Sequence, residues 1–403
     1  MSLPLTLAAT AALGYLALVR ALRWRKYDAV HRKYAHKRRG GSVLQSPSAK
    51  DAQSLSPEEA QEIVQLSLGY DMHYIMTMAL SFALFKTYGI PSISKLLLAT
   101  KELSTRENVA KRIIDTELLI ATWTHCPISG HYPGAAAAPC DPRAMLSMAR
   151  VNWLHSRYHI TWAENYGWRP CSELEKHAWF VYWSEIGKRM NINDIPETFE
   201  ELKQWSVAYE ETHLVPSPTN FEVAKYSVEE ILYRVPNAFG LKHFARRLSV
   251  CLMGDRLREA MMQKPQPAYM HTILRLIFRS VAFVQKHLML PRSKVASLIE
   301  PALPPVEPAS GKVQRMHPRK FPSKPWYMPE PSNPLSALVV RIQVWLGLYE
   351  CAPGPQLKSE GYYLHEMGPI KFERDGRIET VKAAEAFLGC PVPGPWVKSV
   401  GEK

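Results

Sequence analysis

Apolar and polar positions divide the chain into three textures. Ser2 to Val19, SLPLTLAATAALGYLALV, is uncharged throughout, and a basic then Ser-rich stretch follows it to residue 56. From residue 57 to about 290, apolar side chains recur at three- and four-residue spacing, the period of helices that bury one face. The pattern predicts helices over 57–68, 70–88, 104–125, 141–165, 172–191, 197–213, 219–235, 238–263 and 268–289. A further helix over 334–348 follows a Pro-rich interval. Start signals agree with these placements: SPEEA begins at Ser56, and capping-box spacings stand at Ser104/Glu107, Ser172/Glu175, Thr198/Glu201 and Ser227/Glu230. No alternating series long enough for a set of strands competes, so the fold class is all-α. Eleven prolines between Pro291 and Pro334 keep that interval extended, and Lys324 to Pro331, KPWYMPEP, brings aromatic groups that need a surface to pack on.

The first segment is long enough to cross a bilayer as a helix, for which about 17 to 20 apolar residues suffice. Its charge flanks decide its type. A secretory leader has its positive residues before the apolar stretch and a small-residue cleavage site after it. Here no Lys or Arg precedes, while Arg20, Arg23, Arg25, Lys26, Arg32 and Lys33 follow, which places everything after Arg20 on the cytosolic side of a single-pass anchor. The formal charge of +13 would by itself admit a nucleic-acid partner. Nine Lys or Arg against Asp28 alone, between Arg20 and Arg39, hold +8 of it and leave +5 for the rest, so no nucleic-acid partner is expected. Ala35 to Gly41, AHKRRGG, is either a head-group contact or simply the flank of the anchor. Six scattered cysteines without a C-x-x-C pair fit a reducing compartment. Four regions follow: a transmembrane anchor (1–20), a basic collar and polar tether (21–56), a helical core (57–290), and a Pro-rich wrap with one helix and a tail (291–403).

Phosphate-loop, dinucleotide, zinc-protease and serine-hydrolase signatures are absent, as is the covalent haem motif. What remains are polar residues inside apolar helices. In Asn108 to Trp123, NVAKRIIDTELLIATW, Arg112, Asp115 and Thr116 share one helical face at i, i+3 and i+4. Such a patch is either an internal salt bridge or the polar end of a pocket. In Met145 to Trp162, Asn152, His155 and His159 share a face. A helical imidazole there either ligates iron or hydrogen-bonds a carbonyl, and no third ligand for a two-His zinc site is evident.

The order of blocks carries more information than either patch. DTELLI (Asp115 to Ile120), ARVNWLHSRY (Ala149 to Tyr158), YGWR (Tyr166 to Arg169), WSVAYEETHLVPSPTN (Trp205 to Asn220), GDRLREAMM (Gly254 to Met262), LPRS (Leu290 to Ser293), PWYMPEP and EGYYLHEMGP (Glu360 to Pro369) follow one another. This succession resembles the fungal ER-bound oxygenases of the mycophenolic-acid type, relatives of the bacterial latex-clearing proteins. The resemblance implies a globin-related helical bundle holding haem b, with His155 of LHSRY as axial ligand and Arg112 and Thr116 lining the distal side. Asp115 stands where the bacterial branch has a Lys that can also bind the iron, so a closed six-coordinate state through this residue is not expected. Arg150 and Arg157, flanking His155, are candidates to pair with haem propionates, and His159 and His177 are the next choices for the ligand. The implied chemistry is dioxygen-dependent attack on a double bond of a prenyl or terpenoid chain, by an enzyme anchored in the endoplasmic reticulum membrane. Its partner would be a hydrophobic prenylated small molecule. Two departures stand out: a low-complexity loop, Ser129 to Pro142, and only HITWAEN (His159 to Asn165) where fungal relatives have an extra helix. They keep a second reading open, a non-catalytic anchored protein that binds a hydrophobic intermediate.

Overall fold

A computed structural model describes residues 3–35, 55–128, 155–189, 192–300, 314–370 and 373. The protein is all-α: among the described residues no strand forms, and one isolated antiparallel bridge joins Met316 to Tyr362. In chain order the helices are α1 (Leu3–Arg23), α2 (Arg25–Lys33), α3 (Pro57–Gln65), α4 (His73–Tyr88), α5 (Pro91–Thr100), α6 (Val109–His125), α7 (His155–Tyr166), α8 (Glu173–Arg189), α9 (Phe199–His213), α10 (Pro218–Ile231), α11 (Leu241–Cys251), α12 (Asp255–Ala260), α13 (Ala268–His287) and α14 (Pro334–Trp345). Three differences from the sequence pattern have local causes. α5 is an extra ten-residue helix opened by Pro91 at its first position. The span predicted over 238–263 is two helices, because Gly254 takes an extended backbone (ψ 159°) between them. Leu66–Asp71 continues α3 as a π-helical turn. The part of the 141–165 prediction before residue 155 lies outside the described residues.

The chain forms two compact units, each drawn from three stretches: Met1–Leu84, Arg150–Glu211 and Gln266–Ala296 make the first, and Phe85–Ala149, Thr212–Pro265 and Ser297–Lys403 the second. In the first, α3 packs along α8. Trp179, Tyr182 and Trp183 of α8 and Ile63 and Val64 of α3 are almost completely buried. Each such side chain contributes about 1.5–3 kcal/mol of burial. The π turn brings the backbone of Gly69 against the 290s segment, where Ala296 N donates to Gly69 O (2.9 Å). A Cβ at 69 would stand 2.7 Å from Val295 Cγ1, so only glycine fits.

The same turn aims Asp71 inward at the YGWR block. Arg169, 5% exposed, gives Nε and Nη2 to Asp71 Oδ2 (2.9 and 2.8 Å) and Nη1 and Nη2 to the two oxygens of Glu175 (2.7 and 2.9 Å). Burial opposes the charge on Arg169, but Glu175 and then Asp71 more than offset it, and the guanidinium titrates above its ordinary value. Glu175 also closes a capping box with Ser172 at the start of α8. α7 thus ends on a node. A Cβ on Gly167 would meet Ala163 O at 2.5 Å and Met72 Sδ at 2.7 Å, so the helix can turn directly into Trp168 and Arg169 only through glycine.

α1 is, among the described residues, the helix long and apolar enough to cross a membrane. It and α2 dock on the first unit. Arg23 donates to Lys286 O (3.2 Å) and Met289 O, and Tyr15 OH donates to Leu288 O (2.8 Å). Trp24 packs edge-on against Trp168, Lys26 lies over Tyr70, and His31 bonds Ser172 (2.8 Å). Residues 36–41 of the AHKRRGG cluster lie outside the described residues.

In the second unit, Asn220 of the SPTN block is fully buried. Its Nδ2 reaches Gly89 O, Val215 O and Ala260 O (3.0, 3.0 and 2.9 Å) while Oδ1 accepts from Ser94 Oγ (2.5 Å), which ties α5, α10 and α12 together. The unit's core packs Ile114 and Leu118 of α6 against Trp326, Tyr327, Tyr362 and Leu364. The aromatic groups of the Pro-rich wrap have therefore found their surface inside this core.

Candidate functional site

α6 has a closed side and a half-open side. Ala110, Ile114, Leu118 and Ala121 point into the core, whereas Arg112, Ile113, Thr116, Glu117 and Leu119 are only partly buried. The helix is apolar enough to be buried all round. The half-open strip carries three polar side chains, Arg112, Thr116 and Glu117.

Asp115 lies between the two sides and is fully buried. Its Oδ2 accepts from Lys111 Nζ (2.9 Å) and from the Gly368 backbone N (3.2 Å), and its Oδ1 accepts from Tyr327 OH (2.7 Å). Burial, and then the Asp115 carboxylate, hold the Tyr327 phenol well above its ordinary value, which keeps it the donor of that bond. Lys111, itself buried, also donates to Gly368 O (2.5 Å). Arg112 stands off at 3.9 Å from Asp115 Oδ2 with its side chain 28% exposed. The charge of Asp115 is thus spent mainly on Lys111, and the guanidinium of Arg112 stays available. Thr116 Oγ1 donates to Arg112 O (2.7 Å), which leaves its lone pairs on the half-open strip. Tyr88 is buried near Arg112; burial raises its phenol pKa, against the pull of Ser227 and Arg112.

Glu117 is a functional candidate that the sequence reading passed over. Burial, reinforced by Glu230 and opposed by Lys320, pushes its carboxyl up to about 7, into the range where a group exchanges protons near neutral pH. The signal was present in the sequence as a third polar residue, after Asp115 and Thr116, in the same apolar run. Lys111 had a clearer one: it precedes Asp115 by four residues, the spacing of a helical ion pair.

Arg112, Asp115 and Thr116 therefore come together on α6 of the second unit. His155 is the first residue of α7 in the first unit, and its side chain and that of Arg157 lie outside the described residues, as does Arg150. His159 is buried and stacked on Trp179, with centroids 4.2 Å apart and planes at 15°. His177 is on the exposed face of α8. α7 runs unbroken to Tyr166, so the short HITWAEN interval is absorbed within one helix. No cluster of three or more His, Cys, Asp or Glu suited to a metal ion occurs among the described residues. A haem asks for less, one imidazole and an apolar pocket with a few donors. The α6 strip supplies one donor of that kind, the guanidinium of Arg112, among Ile113 and Leu119, while the Thr116 hydroxyl gives its proton to Arg112 O.

The family described as the ER-bound oxygenase mpaB/B′ and rubber oxygenase catalytic domain matches residues 111–283, a range that begins at the Lys111–Asp115 pair and ends in α13. Over these residues the chain carries an oxygenase domain of the mpaB type, related to the rubber oxygenases. It is 26% identical over 407 residues to the ER-bound oxygenase mpaB′ of Penicillium brevicompactum, covering 91% of this chain and 88% of that protein. The ER-bound oxygenase mpaB of Penicillium roqueforti is 28% identical over 283 residues (62% of this chain, 87% of the relative), and that of P. brevicompactum 28% over 245 residues (53% and 57%). As an oxygenase it uses dioxygen and is an oxidoreductase. In this family context, YGWR, SPTN, PWYM and EGYYLHEMGP are chiefly scaffold: they supply the Arg169 node, the Asn220 staple and the partners of Asp115.

Proposed function

We propose that this protein is a single-pass enzyme of the endoplasmic reticulum membrane, with its body in the cytosol, that uses haem b and dioxygen to cleave or oxygenate a double bond in a prenyl or terpenoid chain. The observation that carries this reading is the arrangement on α6, where Lys111 neutralises Asp115 from 2.9 Å and leaves Arg112, at 3.9 Å, available on a half-open strip. Haem b, when bound, supplies the iron that activates dioxygen toward a carbon–carbon double bond. His155 is assigned as its ligand, and Arg150 and Arg157 as partners of its propionates.

The guanidinium of Arg112 stabilises negative charge that develops on oxygen during the reaction. Thr116 sits one turn on and, through its bond to Arg112 O, offers lone pairs rather than a proton to that strip. Asp115 is a positioning residue: fixed by Tyr327, Lys111 and Gly368, it orients Arg112 without cancelling its charge. The α1 anchor brings the body to the phase in which a prenylated substrate dissolves.

Purified full-length protein is expected to show a Soret band with one iron per chain. His155→Ala should lose haem and turnover together, and a variant that keeps both places the ligand elsewhere. Arg112→Ala should retain the Soret band while turnover of a farnesylated phenolic compound falls by about 10²–10³, the effect of removing one preorganised donor. Haem-loaded wild type without any turnover would instead identify a non-catalytic binder of a hydrophobic intermediate.

A further inference from the structure

We infer that α13 is a second membrane contact, lying in the bilayer interface beside the α1 anchor with its exposed apolar face in the lipid. The inference rests on the membrane-anchored reading of α1. At about 100° per residue, the C-terminal half of α13 divides into three sectors. Leu274, Phe278 and Gln285 face the body and are buried, with Phe278 packed on Tyr166 (centroids 4.4 Å) and Trp162 (6.3 Å) of α7. Arg275, Arg279 and Lys286 occupy an adjoining cationic sector. The remaining arc of roughly 160° carries Leu276, Ile277, Val281, Phe283, Val284 and Leu288, every one of them exposed, interrupted only by the exposed Ser280 and His287. No Asp or Glu occurs anywhere in α13.

A mostly apolar exposed arc bordered by cations, on a helix without acids, matches the requirements of an interfacial helix on an anionic leaflet. The neighbouring anchor fixes its depth. Tyr15 precedes Arg20 by five residues, about 7.5 Å of helix toward the membrane interior. Its hydroxyl is bonded to Leu288 O at the C-terminal end of α13, and Arg23 binds Lys286 O and Met289 O. The end of α13 therefore sits at the level where the anchor enters the head groups, and Leu288, Met289 and Leu290, all exposed, stand against α1 at that level. Through Phe278 the same helix rests on α7, the helix that begins with His155.

The experiment places the photoreactive residue p-benzoylphenylalanine at position 284 of the full-length protein, and separately at position 12 in α1, in vesicles containing phosphatidylserine. After irradiation, lipid adducts are read by mass spectrometry. Adducts at both positions are expected, and Ile277→Asp with Val281→Asp should lower the yield at 284 several-fold while leaving that at 12 unchanged. Lipid adducts at 12 with none at 284 overturn the interfacial helix and leave the anchor standing. Crosslinks from 284 to a second copy of the chain also overturn it. Absence of lipid adducts at both positions overturns the anchor, and the inference with it.

Discussion

Asp115 accepts hydrogen bonds on both oxygens with no exposure to water, and removing its charge leaves the buried Lys111 only the more distant Glu373, at 3.8 Å, as counter-charge. Asp115→Asn is therefore expected to cost about 3–5 kcal/mol in urea unfolding, the range for breaking a buried pair. The paired change Lys111→Met with Asp115→Leu should recover most of that loss, because no charge is then stranded. Glu117 makes a prediction of opposite character. Its carboxyl is raised to about 7, so the folded state binds its proton more tightly than the unfolded state does. That stability is fully present below about pH 4.5, the ordinary Glu value, and is lost as pH rises through 7. Melting temperatures of Glu117→Gln should accordingly fall less than those of the wild type between pH 5 and pH 8. Equal slopes would mean that Glu117 is ionised across the range. Both residues show how sequence signals divide: the Arg112, Asp115 and Thr116 grouping was legible from helical spacing, but spacing left open whether the patch was a salt bridge or a pocket. The salt bridge forms, but with Lys111 and Tyr327, the latter more than 200 residues away, which take the charge that spacing would have paired with Arg112.

Helices were legible where their start signals were used locally. The boxes at Ser56 and Ser172 form as read, each with reciprocal bonds to the Glu three residues on. At Ser104 the spacing misleads: its hydroxyl donates to Leu98 O at the end of α5, and α6 starts only at Val109. Ser227 and Glu230 lie inside α10, and Glu230 instead accepts from Ser323 N and Oγ (2.8 and 2.7 Å). A capping box is a local pattern, and a partner distant in sequence or a neighbouring helix end competes for the same groups. Gly167 is the sharpest constraint at this scale, since Ala163 O, Met72 Sδ and Arg169 O all stand within 2.8 Å of where its Cβ would be. Gly167→Ala should destabilise the protein by more than 2 kcal/mol, roughly the cost of an overpacked site, and lower haem occupancy if α7 carries the ligand. Normal stability in that variant would show that α7 can leave the Arg169 node without penalty.

Among the described residues, the helical texture of the sequence matches what forms, and Trp326 and Tyr327 of the Pro-rich stretch are buried. The assembly of each unit from three separated stretches was not legible, because the contacts that define it join residues far apart and leave no periodic trace. Nor was the docking of the collar. A run of cations after an anchor predicts orientation, but Arg23, Lys26 and His31 also have partners on the first unit. This attachment changes how the enzyme meets its substrate. A body on a slack leash would sample a hemisphere of cytosol and touch the bilayer intermittently. α1 acts as a bracket: Tyr15, Arg23 and Trp24 bolt it to the first unit, so the tilt of α1 sets the tilt of α7. On the proposed reading of α1 as an anchor and of a prenylated substrate, encounter is then a two-dimensional search with a fixed angle of approach.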